Sequence, residues 1–449
     1  MPVGITSQAD GRLQSACDDI LAQSGSEILA MLLREHERAL FTDRSEILAI
    51  LHHNAELIQQ GVGVNLALVG QRRIGKTMIA QRFADDLSER HSPLVPIYFD
   101  VARNLSVPSV FAIRLLASIG RSFVEADGRQ VEQPSGVINA TGLLAIAEQT
   151  REETIIATTR QIAREMEKDR PDERMLLETA LSCLEQTAQH TGKKPLVILD
   201  EFHTVTQLDN FPRIRDTLGV VGPILSQQIE VGYIVASSNT GMVERTVQSA
   251  TSPLFDQFQV VSVPPFDQAA VAEFCHKSLP DRLLTPQIIV RLFEFTAGHP
   301  FYLNCLTTTM RQLDQAETDD DVLDRAIYEE ILTRDGRISQ YCQHRVETAL
   351  AEARGKATLR SVLLVLAEGG WQTLSEIAAH LKRTPGEVRS YLKRLADFDI
   401  IGRDGHRYYI ADTIIALWIK FTILEREPEY NEYKDAIQRH LARLAKQAA

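Results

Sequence analysis

Short continuous apolar runs stand out along the chain at residues 66–69, 94–101, 195–199 and 231–236, each bounded by polar segments. Runs of that length with polar flanks predict buried strands. Most of the remainder places its apolar residues at helical spacing. Ile28, Leu29, Leu32 and Leu33 predict one helix, and Ile47, Leu48 and Leu51 another. Residues 41–47 break the pattern and restart it, with Asp43 or Ser45 as N-cap. Residues 110–124 and 143–188 also read as helix, interrupted at 128–136 and near Pro171. Roughly ninety residues between two strands is far more than an ordinary crossover needs, so 104–194 reads as a helical insertion. Strands alternating with helices predict an α/β fold, a parallel sheet between helical layers.

Beyond residue 264 the pattern changes. Residues 267–279, 285–296, 302–315 and 320–333 have helical spacing; Gly298 ends the second helix and Pro300 starts the third. This break is a plain helix-to-helix turn, or a lid turn that touches a ligand. Further on, 359–367, 374–381 and 385–397 read as short helices, followed by two β-rich runs over 400–410 around Asp404 and Gly405. Three helices and a hairpin predict a winged helix-turn-helix. The expected units are an N-terminal helical segment 1–40, a core 41–264, a helical lid 265–354, the winged helix 355–412 and a C-terminal helical segment 413–449.

At 449 residues the chain exceeds one compact core, which agrees with several units. Its 44% hydrophobic and 24% charged residues are ordinary for a globular protein. Forty-eight basic against 60 acidic residues give a net charge of −12, which confines any nucleic-acid contact to one face. Cys17, Cys183, Cys275, Cys305 and Cys342 are far apart and form no CxxC pair, so they read as reduced core thiols. The N-terminus lacks signal-peptide features, and the apolar stretch 414–424 is too short to span a membrane and carries Lys420. A soluble cytoplasmic protein is expected.

The candidate chemistry begins where the first strand ends. Gly70, Gln71, Arg72, Arg73, Ile74, Gly75, Lys76 and Thr77 spell the glycine-rich phosphate-binding loop between a strand and a helix. Its N–H groups and the helix N-terminus suit phosphate oxygens; Lys76 would reach the β- and γ-phosphates and the Thr77 hydroxyl would ligate Mg²⁺. A second apolar strand discharges into Asp200 and Glu201. An acid there can be a plain helix N-cap, but paired with the loop it reads as Asp200 on the Mg²⁺ shell and Glu201 polarising the attacking water. The strand at 231–236 ends in Ser237, Ser238, Asn239, Thr240 and Gly241, which makes Asn239 a candidate γ-phosphate sensor or an ordinary turn former. On the winged helix, Arg389, Lys393, Arg394, Arg403 and Arg407 are candidate DNA contacts, diluted by Glu387, Asp397, Asp399 and Asp404. Such a module also serves as a protein-docking or packing element.

The order of these motifs resembles the archaeal-type ATPase family, AAA-like proteins related to the STAND signalling ATPases. The resemblance rests on Phe41, Thr42, Asp43 and Arg44, the loop with its paired arginines, Asp200-Glu201-Phe202, Ser237 to Met242, Ser252-Pro253-Leu254-Phe255, Gly298-His299-Pro300 and the winged helix. It implies an ATP-dependent switch with an ASCE-type P-loop core, a helical lid, and Mg-ATP held along residues 70–78, Met78 included. It also implies that Phe41 and Arg44 lie near the adenine and that Gly298 and Pro300 approach the base. Asp256 and Gln257 stand where an arginine from a neighbouring subunit is expected, leaving Arg213 or Arg245 as substitutes.

The resulting expectation is a slow, regulated ATPase acting as a homo-oligomer or through a partner effector. It would control that partner or a DNA-linked process such as anti-phage defence. The alternatives are a DNA-loading, initiator-like or transposition-regulating ATPase, and a nucleotide-stabilised scaffold in which hydrolysis is incidental.

Overall fold

The computed structural model describes residues 33–89, 92–132, 140–238, 244–313, 318–351 and 355–422. The expected helix around 28–32, Asn239 and the segment 423–449 lie outside them. After α1 (Glu35–Leu40) and α2 (Ser45–Gln59), the chain enters β1 (Asn65–Val69), α3 (Lys76–Glu89) and β2 (Leu94–Asp100). Next come α4 (Val101–Asn104), α5 (Pro108–Ala126), α6 (Ala140–Thr150), α7 (Glu153–Met166), α8 (Glu173–Thr191) and β3 (Lys194–Asp200). A 3₁₀ helix (Phe202–Asn210), α9 (Thr217–Gln227), β4 (Gly232–Ser237) and β5 (Phe258–Ser262) complete the core.

The five strands run parallel in the order β2-β3-β4-β1-β5. Alternate side chains enter opposite faces, as the pleat dictates. Leu196 and Ile198 join α2 and α3 in one core, while Val197 and Leu199 join α5, α8 and α9 in the other. Apolar residues on both faces explain why these strands read as continuous runs. The 104–194 insertion accordingly supplies a structural layer: Phe111, Leu115 and Ile119 of α5 and Leu177, Ala180 and Leu184 of α8 are buried in the same core as the sheet. β5 was not expected from the sequence. It is a short edge strand in which only Phe258 and Val261 are buried, too brief a pattern to separate from the surrounding loops.

Neither Asp43 nor Ser45 caps α2. Arg44 occupies the N-cap position at φ 73° with no side-chain capping bond, and Ser45 is the first helical residue. Asp43 is also left-handed, at φ 59°, so two such residues turn the chain into the helix.

The second half contains α10 (Gln268–Ser278), α11 (Pro286–Thr296), α12 (Pro300–Gln312), α13 (Asp319–Leu332) and α14 (Arg337–Leu350). It continues with α15 (Lys356–Gly369), β6 (Gln372–Thr373), α16 (Leu374–Leu381), α17 (Pro385–Asp397), β7 (Ile401–Asp404), β8 (Arg407–Ile410) and α18 (Thr413–Thr422). The antiparallel sheet β6-β8-β7 and helices α15–α17 form the winged helix-turn-helix. Thr373 with Glu376 and Thr384 with Glu387 make capping boxes that start α16 and α17. One continuous core runs from Phe266 in the lid to Ile419 in α18, so lid and winged helix are packed as a unit.

Candidate nucleotide site

In an open parallel sheet, ligands bind beyond the carboxyl ends of the strands. Here the end of β4 lies between those of β1 and β3, which sets the phosphate loop, the acidic pair and Ser237-Ser238 side by side. Ile74 is fully buried and anchors the loop in the core. Gly75 has φ +104°, a left-handed conformation that favours glycine, whereas Gly70 is needed for proximity: a Cβ there would lie 2.7 Å from the Val263 carbonyl.

Lys76 is the first residue of α3 and is 4% exposed. Its Nζ donates to the carbonyls of Gly70 at 2.9 Å and Gln71 at 2.8 Å. Burial pushes its pKa down to about 8, opposed by the charges of Glu201 and Asp200 and assisted by Arg72. The Thr77 hydroxyl donates to Asp200 Oδ2 at 2.6 Å, and the Tyr98 hydroxyl from β2 donates to the same oxygen at 2.8 Å. Asp200 Oδ1 accepts from the Glu201 N–H at 2.9 Å. Burial raises the Asp200 pKa, and the hydrogen bonds from Thr77 and Tyr98 oppose that rise. Tyr98 was not a candidate from the sequence, since only the β2–β3 pairing brings it to the acid.

Glu201 occupies the N-cap position of the 3₁₀ helix at φ 48° but makes no side-chain capping bond. Its Oε2 instead accepts from the Ser238 hydroxyl at 2.7 Å and lies 3.3 Å from His203 Nδ1. Ser238, the residue before Asn239 in the sequence, thus shares this carboxylate oxygen with His203.

No cluster of three or more metal-ligating side chains occurs among the described residues. A lone hydroxyl–carboxylate pair of hard oxygens fits Mg²⁺, which takes one or two protein oxygens and completes its shell with phosphate and water. The residues present therefore fit the metal expected of them.

The flanking residues converge on the loop from the lid side. Arg44 is buried, donates from Nη2 to the Ile74 carbonyl at 3.3 Å and lies over the Phe266 ring at 4.5 Å; burial lowers its pKa. Phe41 is half-buried, and its carbonyl accepts from Lys277 Nζ of α10 at 2.7 Å. Gly298 and Pro300 form the turn between α11 and α12, where the Gly298 carbonyl accepts from the Phe266 N–H at 2.9 Å. Between them, His299 Nε2 lies 3.1 Å from the Arg72 carbonyl. Arg73 is left-handed at φ 63°, with its guanidinium 4.2 Å from the Phe301 ring and 4.6 Å from that of Tyr341. Met78 follows Thr77 in α3 and is half-buried.

On the winged helix, Arg389 and Lys393 on α17, and Arg403 and Arg407 on the wing, are exposed. Arg403 Nε donates to the Gly405 carbonyl at 2.9 Å. The half-buried Arg394 donates from its guanidinium to the carbonyls of Ala349 and Ala351, at the end of α14. Gln257 donates to the Pro253 carbonyl at 2.8 Å, and Arg213 faces Glu173 at 3.9 Å; the Arg245 side chain is outside the description. Among the described residues no helix is long and apolar enough to cross a membrane.

Fold and site together define a P-loop architecture of the AAA type, with a helical lid and a winged helix. Solved structures share it. One is a Walker-type ATPase of Pyrococcus abyssi, 17% identical, with a TM-score of 0.52 over 87% of this chain and 99% of that one. Another is the ORC2 protein of Aeropyrum pernix in ADPNP and ADP complexes, 14% identical, with a TM-score of 0.50 over 94% of this chain and 98% of that one. No protein-family model matches the chain, and no curated protein does. At such identities the likeness is one of fold, and it agrees with the fold that the motif order implied.

Proposed function

We propose that the chain binds Mg-ATP and hydrolyses it as a slow, regulated molecular switch whose output reaches a partner protein or a DNA-linked process through the lid and winged helix. The observation that carries this reading is the 2.6 Å hydrogen bond from Thr77 to Asp200, which joins the phosphate loop to the acidic strand end beside Glu201. The ORC2 structure of the same fold contains ADPNP and ADP, which supports an adenine nucleotide. The loop N–H groups and Lys76 bind the phosphates, Thr77 and Asp200 hold the metal, and Glu201 takes the proton of the attacking water. Magnesium bound at that pair would neutralise phosphate charge.

Glu201→Gln should retain fluorescent-nucleotide binding while turnover falls about 100-fold. Lys76→Ala should weaken binding itself. Protein that retains no purine nucleotide, or a Lys76→Ala variant with undiminished turnover, overturns the reading. If Glu201→Gln preserves the cellular activity, the incidental-hydrolysis scaffold is favoured.

The exposed Arg389, Lys393 and Arg407 support a second reading, an initiator-like or transposition-regulating ATPase that loads on DNA. It requires duplex affinity that differs between ATP-γ-S and ADP and falls with salt at a log–log slope of about −0.9 per phosphate contact. Binding indifferent to nucleotide or salt removes it.

A further inference from the structure

His203 has no part in the motifs that define the phosphate site, yet its ring faces the acid expected to activate water. The left-handed turn at Glu201, φ 48°, brings the side chains of 201 and 203 to the same place. His203 Nδ1 lies 3.3 Å from Glu201 Oε2 and 3.2 Å from the hydroxyl of Ser237. Ser238 donates to that same Oε2 at 2.7 Å. Ser237 is paired in register with Val69, the last residue of β1 before the phosphate loop. Two neighbours therefore converge on one oxygen of Glu201, His203 from the 3₁₀ helix that follows β3 and Ser238 from just beyond β4.

We propose that His203 is a positioning residue for Glu201: its Nδ1, hydrogen-bonded to the Ser237 hydroxyl and 3.3 Å from Oε2, acts with Ser238 to fix the carboxylate plane and leaves Oε1 to take the proton of water. This rests on the ATPase reading. A glutamate side chain has three rotatable bonds, and a base that wanders spends little time in line with its substrate. The usual structural use of an acid at a helix start is absent here, because Glu201 makes no capping bond. The ring's polar edge is directed at the carboxylate and the Ser237 hydroxyl, so His203 is more than filler for the half-buried pocket it occupies.

The test uses the full chain and compares wild type with Glu201→Gln, His203→Ala, His203→Asn and the His203→Ala/Glu201→Gln double variant. Asparagine places an amide N–H near the position of Nδ1; alanine does not. His203→Ala should lower kcat about 10- to 100-fold, with KM and fluorescent-ADP affinity unchanged within about twofold. His203→Asn should recover most of the loss, and the double variant should be no slower than Glu201→Gln. The proposal is overturned if His203→Ala leaves kcat intact while Glu201→Gln abolishes turnover. Equal damage in the alanine and asparagine variants, or a loss confined to nucleotide affinity, also overturns it. A wild-type protein without ATP turnover, or one whose turnover survives Glu201→Gln, overturns the underlying reading as well.

Discussion

Burial decides which protonation states the loop region can support. His299 is 4% exposed, and burial pushes its pKa below the ordinary 6.5. Its Nε2–H must donate to the Arg72 carbonyl, so the folded protein holds a neutral ring with the proton on Nε2. Because the unfolded chain binds the proton more readily, the stability this site contributes is fully present above the unfolded value and is lost as pH falls below about 6.5. His299→Gln keeps a donor in place of Nε2 but cannot titrate. The wild-type melting temperature should therefore drop more steeply than the variant's between about pH 7 and pH 5; parallel curves would contradict the assignment. At this scale the sequence was informative wherever chemistry is contiguous. Residues 70–77 and the pair Asp200-Glu201 declare themselves because backbone geometry and adjacency suffice. Tyr98, Ser238 and His203 do not, since each acts across a strand pairing or a turn that local pattern cannot disclose.

Among the described residues, helix α14 is joined by side-chain hydrogen bonds to both the winged helix and α18. Arg345 donates from Nη2 to the carbonyls of Phe398 at 3.2 Å and Asp399 at 3.0 Å. Trp418 Nε1 donates to the Ser339 hydroxyl at 3.0 Å, and Arg394 returns from α17 to the end of α14. Tyr302 of α12 donates to Asp412, the residue that also accepts the N–H groups of Ile414 and Ile415 at the start of α18. A chain ended at residue 354 would bare Val346, Ala349 and Leu350 together with these polar groups. Burying one Val or Leu side chain contributes about 1.5–3 kcal/mol, so losing several together takes a large share of the roughly 5–15 kcal/mol that holds an ordinary domain. Size-exclusion chromatography of residues 1–354 should show aggregate; a monomer that melts cooperatively would refute the shared core. The individual helices were legible from spacing and caps, but their union was not, because an apolar stripe does not say which other stripe it meets.

For the molecule as a whole, alternating strands and helices, the loop and the wing were enough to specify the α/β P-loop class. Two things escaped: β5, whose pattern is too short, and the role of the 104–194 segment, whose α5 and α8 are required to cover a sheet face. Both depend on knowing the sheet order first. One feature ties the two halves across that order. Arg73 lies over both Phe301 and Tyr341, whose rings touch each other, and the neighbouring Arg72 carbonyl meets His299. Exposed cation–π contacts contribute about 0.5–1 kcal/mol each, and a neutral hydrogen bond about 1 kcal/mol. A micromolar ligand brings about 8 kcal/mol. The grip between loop and lid is thus smaller than the whole binding energy of such a ligand, and a ligand that favoured the parted arrangement by a fraction of it would suffice as the release of a clutch.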